Sequence, residues 1–275
     1  MNAQNNLPKP FLKWAGGKTK LLPHIIAPIK KSKYTYFEPF LGGGAVFFGL
    51  YRKGYIKNAF LNDLNPEVYN CYTVIKHQVN DLIEKLKETK YENTKDKFQA
   101  VRSTDVTSLS DVERAARLIY LNKTCFNGLY RVNKSGLFNV PYGKYSNPLV
   151  CDRPNLIAVS EALQIAQLSC ISYSSAMKNV RKGNLVYMDP PYAPISKTSN
   201  FTGYTSNGFS MMDHENLAIE FKRLKIKGAH CILSNSSSEK VLELFQGENL
   251  EYINGARNIG GSPDSRKHIT EIIVR

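Results

Sequence analysis

The sequence predicts an α/β protein: an open, mostly parallel sheet interrupted by a largely helical insertion. Three observations point there. Short apolar runs around residues 36–38, 59–62, 185–188 and 231–233 each stop at residues able to do chemistry, as buried parallel strands do. Helix-periodic segments lie between them. Glycine is absent between residues 55 and 127, although it is frequent in the strand-bearing parts.

Composition narrows the class. Across 275 residues, 42% are hydrophobic and 11% aromatic, which is enough to build a core and excludes global disorder. Lys and Arg number 37 against 23 acids, a net charge of +14 that points to a polyanionic partner. The charge is unevenly spread. No acid precedes Glu38, and none lies between Glu113 and Asp152, where Arg114, Arg117, Lys123, Arg131, Lys134 and Lys144 fall. Such stretches suit phosphate-facing surfaces. The five cysteines form no CxxC and the five histidines are scattered, so neither disulfides, a zinc site nor another metal cluster is expected. With no apolar run near the ~20 residues of a membrane span, a soluble cytoplasmic protein is expected.

In chain order, residues 1–10 are polar and read as loose. Phe11 to Lys18 then leads into a helical pattern through Leu21, Leu22, Ile25 and Ile26. Gly17-Lys18-Thr19 resembles the end of a P-loop, but Leu12 stands where that motif needs a glycine. What remains is a Gly-Gly turn that brings amides and Lys18 toward an anion, beside Trp14. Residues 36–48 read as strand, glycine turn and helix, with Gly42-Gly43-Gly44 letting the backbone pass close to a ligand, as in a Rossmann-like unit. About 20 residues later a second strand ends at Asp63, where such folds place the carboxylate that accepts ribose hydroxyls.

From residue 67 to about 121 three helical faces follow: Val68/Tyr69/Tyr72/Ile75, Leu82/Ile83/Leu86 and Ala115/Leu118/Ile119. Residues 127–142 alternate around Asn133-Lys134-Ser135-Gly136, a β-hairpin signal. Arg131 and Lys134 on that hairpin, with Phe126 at its base, suit a DNA groove; an ordinary surface hairpin has the same composition. Leu185-Val186-Tyr187-Met188 then ends at Asp189-Pro190-Pro191-Tyr192. Two prolines hold the chain extended without backbone donors. Asp189 and the neighbouring carbonyls are therefore expected to be acceptors without donors, beside the flat face of Tyr192. That set suits a planar substrate bearing an exocyclic NH2, such as adenine. The acid-free segment 193–212 reads as an active-site loop, Asp213 as the cap of a helix through Leu217, Ile219 and Leu224, and residues 231–235 and 269–274 as further strands.

Taken together and in this order, Trp14-Ala15-Gly16-Gly17-Lys18, residues 37–44, Asn62-Asp63, residues 126–142, Asp189 to Tyr192, and Arg266-Lys267 resemble the Dam-type (D12 class, α-group) N6-adenine DNA methyltransferases. The resemblance spans about residue 10 to 275. It implies a Rossmann-like S-adenosylmethionine-dependent methyltransferase sheet (residues 1–66 and 150–275) with an inserted target-recognition domain (residues 67–149). It implies cofactor contacts from Trp14, Lys18, Phe40, Gly42, Asp63 and Asp189, with Asp63 on the ribose. Asp189, Pro190, Pro191 and Tyr192 would hold a flipped adenine and transfer the methyl group directly.

Lys13, Phe126, Asn127, Leu129, Arg131 and Pro141 match the family's GATC-reading residues, and Arg266 and Lys267 would also contact DNA. Phe126 stands where Tyr also occurs in the family; either ring stacks. The implied partner is double-stranded DNA, with no metal and no membrane, in a bacterial or phage setting. Oligomeric state and pairing with a restriction endonuclease stay open. Related methyltransferases of RNA or glutamine, and a non-catalytic DNA-binding protein on the same scaffold, are the alternatives.

Overall fold

The apolar runs become strands of one sheet. The structure is a computed structural model that describes residues 7–133, 135–192, 209–256 and 268–275. The strands are β1 (Tyr34–Glu38), β2 (Ile56–Asn62), β3 (Ala166–Ser169), β4 (Leu185–Met188), β5 (His230–Ser236), β6 (Leu250–Ala256) and β7 (His268–Val274). Their order is β3-β2-β1-β4-β5-β7-β6. The first five are parallel, and β7 runs antiparallel between β5 and β6. The strand order reverses between β1 and β4, so the carboxyl ends of these neighbours open a crevice suited to ligands.

Both faces of the sheet are covered, which is why the central strands are apolar without interruption. Tyr36, Leu185, Tyr187, Ile232 and Ile273 face one core. Their chain neighbours Phe37, Val186, Met188, Cys231, Leu233, Ile272 and Val274 face the other. Against the first core pack α1 (Leu22–Ile26), α2 (Ala45–Lys53) and α3 (Pro66–His77), then α4 (Val79–Leu86), α5 (Lys95–Ser103), α6 (Asp111–Thr124) and α7 (Arg153–Leu163). The second core takes the segment around the short α8 (Tyr173–Ala176), α9 (Met211–Ile226) and α10 (Glu239–Leu244).

In the helical stretch, α6 begins at a Ser110/Glu113 capping box and packs against α3, α4 and α5. Helix α5 adds a fourth helix to the three read from the sequence. It buries only Phe98 and Val101, too few apolar positions to show a period. Two other readings are corrected. Ser210, not Asp213, is the N-cap of α9; Asp213 closes the capping box from the third helical position. Ile219 is 66% exposed, because the buried stripe runs through Leu217, Ala218, Phe221 and Leu224 at true helical spacing. Residues 1–6 of the segment 1–10 and residues 193–208 of the loop expected over 193–212 lie outside the described residues. Of the rest, Pro8 and Lys9 are tied to Arg52 and Asn155 rather than loose, and Met211 and Met212 already belong to α9. Among the described residues no helix is long and apolar enough to cross a membrane, and no group of His, Cys, Asp or Glu is arranged to hold a metal.

Candidate active site

Asp63 is the first residue past β2, and its carboxylate closes the glycine turn after β1. Its Oδ2 accepts from the Gly42 amide at 2.8 Å and its Oδ1 from the Asn65 amide at 2.9 Å. Burial pushes this carboxyl up to about 6, against the pull of the two amides. The turn itself is packed by the protein. Gly42 is left-handed at φ 48°, and a Cβ there would lie 2.7 Å from the Trp14 indole. Gly44, at φ 67°, is closed in the same way by the Tyr72 hydroxyl, which donates to the Gly42 carbonyl at 3.1 Å. At these two positions the glycines therefore admit Trp14 and Tyr72, a role the sequence did not signal. Trp14 in turn stacks on Tyr130 at 5.5 Å.

One strand over, Asp189 ends β4. It was expected to lack donors, and here the structure differs. Its Oδ1 accepts from the Ser234 hydroxyl of β5 at 2.8 Å, and its Oδ2 pairs with Lys18 Nζ at 2.8 Å. Lys18 is buried and also donates to the Gly16 carbonyl, so the Gly-Gly turn delivers its ammonium to this carboxylate rather than to the glycine turn after β1. Burial raises the Asp189 carboxyl above the usual range; Lys18 and Ser234 pull it back in part. Ser234 is itself in hydrogen-bond contact with the Tyr187 hydroxyl at 2.8 Å. The Pro190 ring is buried and Pro191 half-buried. Lys18 Nζ lies 4.8 Å from the Tyr192 ring centroid, and the Tyr192 hydroxyl donates to Glu271 Oε2 of β7 at 2.6 Å.

Two further groups frame the crevice. Glu38, at the end of β1, accepts from the Tyr36 hydroxyl at 2.8 Å, and burial holds its carboxyl well above the ordinary range. Phe40 stacks on Tyr173 at 5.4 Å and meets Phe209 edge-on at 5.8 Å, forming an aromatic wall.

The hairpin expected over residues 127–142 forms as a chain reversal with two isolated bridges, Cys125 to Tyr142 and Val132 to Phe138, not as a ladder. A 3-10 turn (Phe126–Gly128), with Asn127 left-handed at φ 56°, breaks the pairing at its base. Asn133 Oδ1 closes the tip by accepting from the Ser135 and Leu137 amides. Phe126 is 45% exposed, and Asn127, Arg131 and Pro141 are exposed beside it. Leu129 is half-buried.

Lys13 backs directly onto this turn: a Cβ on Gly128 would lie 2.5 Å from the Lys13 Cβ. Asn122 of α6 fixes that contact. Its side chain accepts from the Lys13 amide at 2.7 Å and donates to the carbonyls of Lys13 and Gly128 at 2.8 and 2.9 Å. Arg131 is engaged with Asn139 through Nε and Nη2, at 2.7 and 3.3 Å, which orients the guanidinium and leaves its Nη1 donors outside this contact.

The structure thus brings together two sets of residues singled out by sequence. Lys18 touches both Asp189 and Tyr192 at the end of β4, while Trp14, Gly42 and Asp63 adjoin at the ends of β1 and β2. Lys13 packs on the buried Gly128 beside the exposed Phe126 and Asn127, and Arg266 and Lys267 lie outside the described residues. Ser234, Glu271, Asn122 and Tyr173 were passed over. Glu271 left one trace, a lone acid in the apolar run 269–274.

A family model described as D12 class N6 adenine-specific DNA methyltransferase matches residues 14–259. The chain is 44% identical over 272 residues to the type II methyltransferase M1.LlaDCHI of Lactococcus lactis subsp. cremoris, covering 97% of this chain and 94% of that one. It is 40% identical over 283 residues to the type II methyltransferase M.MjaIII of Methanocaldococcus jannaschii, covering 97% and 98%. To a DNA adenine methylase of Haemophilus influenzae it is 33% identical over 270 residues, covering 97% and 93%.

Proposed function

The chain belongs to the D12 class of N6 adenine-specific DNA methyltransferases, and from that premise we propose that it methylates the adenine N6 of GATC in duplex DNA, using S-adenosylmethionine and an extruded base. The observation that carries this reading is the grouping of Asp189, Lys18 and Tyr192 at the end of β4. Residues 67–149 act as the target-recognition region on this reading, and the sheet with its flanking helices as the catalytic body.

The crevice suits the cofactor by the chemistry of its groups. After two amide bonds the Asp63 carboxylate keeps lone pairs for ribose hydroxyls. Phe40 and Tyr173 offer flat apolar faces to a purine. Lys18 and Asp189 supply one cation and one anion for an amino-acid end. Bound there, S-adenosylmethionine supplies an electrophilic methyl group on a sulfonium.

The protein's own part follows from the geometry. Extruding an adenine costs a few kcal/mol. Stacking on the Tyr192 face opposite Lys18 returns ~1–3 kcal/mol. The adenine amine is a weak nucleophile because its lone pair is delocalised into the ring. Ser234 and Lys18 fix the Asp189 carboxylate, whose remaining lone pairs accept one amine hydrogen, while a carbonyl of the proline pair accepts the other. Both bonds strengthen as positive charge develops on N6. Formation of the N–C bond would be matched by cleavage of the methyl–sulfonium bond, with a neutral thioether as leaving group. The surplus amine proton would pass to Asp189, whose burial makes it a better proton acceptor than an exposed carboxylate.

In the recognition patch, Phe126 is the wedge that fills the vacated stack. Lys13 and Arg131 read guanines, a bidentate Arg pairing being worth ~1–3 kcal/mol of discrimination. Unmethylated plasmid treated with the enzyme and S-adenosylmethionine becomes resistant to a nuclease blocked by GATC methylation and sensitive to one that requires it. Methylated adenines confined to other sequences would sink the GATC assignment and leave the adenine methyltransferase standing.

A further inference from the structure

We propose that Glu271 is a positioning residue for Tyr192, fixing the ring on which the target adenine stacks. The inference rests on the stacking role given to Tyr192 above. A segment containing Pro190 and Pro191 has no amide donors there with which to tie itself to the sheet. Its two functional side chains are held instead from other strands of the sheet, Asp189 by Ser234 of the adjacent β5 and Tyr192 by Glu271 of β7, one strand further on.

Glu271 is suited to this by its backbone. β7 is paired on both sides at this residue, with Ser236 of β5 and with Ile253 of β6, so the carboxylate projects from a doubly clamped strand. The three residues that follow, Ile272, Ile273 and Val274, are buried, which leaves the strand no freedom to slide. The bond is short and charge-assisted, 2.6 Å from phenol to carboxylate. Lys18 lies over the ring. One contact thus sets the end of the ring and the other supports a face, which defines a plane rather than merely a location. A stacking platform needs that, because a base held out of the helix reacts only while its amine is aligned with the methyl group.

Glu271 also stands near Asp189, so loss of its charge is a rival explanation for any defect. Glu271→Gln separates the two: the amide oxygen still accepts from the phenol, and the charge is gone. Full-length variants are compared by single-turnover methylation of a GATC duplex, by affinity for S-adenosylmethionine and for DNA, and by thermal melting. Glu271→Ala is expected to slow methyl transfer about 10–100-fold, with both affinities within about twofold of wild type. Glu271→Gln recovers most of the rate. Tyr192→Phe, which removes the same hydrogen bond without touching the strand, slows transfer to a similar degree. Adding Glu271→Ala to Tyr192→Phe then causes no further loss.

If Glu271→Ala fails to fold, Tyr192→Phe and Glu271→Gln decide alone. Glu271→Gln as slow as the alanine variant, Tyr192→Phe at wild-type rate, or losses that multiply in the double variant overturn the proposal. Wild-type rate in Tyr192→Ala would instead remove the stacking role of Tyr192, a failure of the premise that is read separately.

Discussion

Asp63 and Asp189 sit on nearby strand ends and are held in opposite ways. Asp189 has a cation and a hydroxyl on its oxygens, whereas Asp63 has only two backbone amides to offset its burial. With its carboxyl near 6, Asp63 is ionised at pH 7.5 and becomes protonated under mildly acid conditions. A protonated carboxyl loses acceptor capacity, so affinity for S-adenosylmethionine should fall as pH drops through about 6. Titration calorimetry between pH 8 and 5 measures it, and in Asp63→Asn the affinity should be lower throughout and flat over this window. An unchanged pH profile in Asp63→Asn would take the ribose role away from Asp63.

The linkage to folding has the opposite sign. A carboxyl raised from 3.8 contributes stability that is complete below that value and lost as pH rises through about 6. His214 works against this. Burial lowers its imidazole to about 4, so its contribution is present above the ordinary value of 6.5 and lost as pH falls through about 4. The two contributions oppose each other across pH 6, so thermal melts at the same pH values separate a loss of cofactor affinity from a loss of folded protein.

Among the elements, buried asparagines act as the pins. Asn62 donates to the carbonyls of Pro39 and Ile171, and its Oδ1 accepts from the Ser169 hydroxyl and the Ile171 amide, joining the ends of β1, β2 and β3. Asn155 of α7 exchanges hydrogen bonds with the backbone of Lys9, and Asn122 of α6 holds Lys13 against Gly128. Asn62 stood out beside Asp63 at a strand end, but Asn122 and Asn155 were not legible, since a lone Asn in a helical stretch has no period and its partners lie up to 146 residues away. Asn122→Ala leaves backbone groups of Lys13 and Gly128 without partners, at about 1–3 kcal/mol for each one kept from water. The expected destabilisation is about 2–4 kcal/mol, since Lys13 itself is partly hydrated. Because the pin joins the two halves of the recognition patch, the KM for DNA should rise more than that for S-adenosylmethionine. Denaturant melts and steady-state kinetics on the folded fraction check both. Equal increases in the two KM values would mean that the patch does not contact DNA.

For the molecule as a whole, what could be read in advance was whatever is encoded locally. Strand runs that stop at Glu38, Asp63 and Asp189 announce themselves, because a buried parallel strand stays apolar up to the polar residue at its carboxyl end. Ser234 and Glu271 depend on the register of β5 against β4 and β7, a pairing across tens of residues that no local pattern reports.

The excess positive charge shows the same divide. The acid-free stretches were read as one phosphate-facing property, yet the structure separates them. Lys33 lies with Lys57, Lys182 and His230 in a cleft at the amino ends of the strands, away from Asp63 and Asp189. Lys13, Arg131 and Lys144 are exposed around the recognition patch. DNA bound over the patch and the crevice should therefore release counterions for only part of the +14 charge. Each neutralised phosphate contributes about −0.9 to the slope of log K against log salt, so ~6 contacts give a slope of about −5, well short of the value for the whole excess. Lys144→Ala should make the slope shallower by about 0.9, while Lys33→Glu with Lys182→Glu should leave it unchanged. Fluorescence anisotropy of a labelled GATC duplex across a salt series supplies these slopes. A change with the distant pair would place the duplex at the amino ends of the strands, away from Asp189 and Tyr192, and an unchanged slope with Lys144→Ala would take that lysine out of the phosphate contacts.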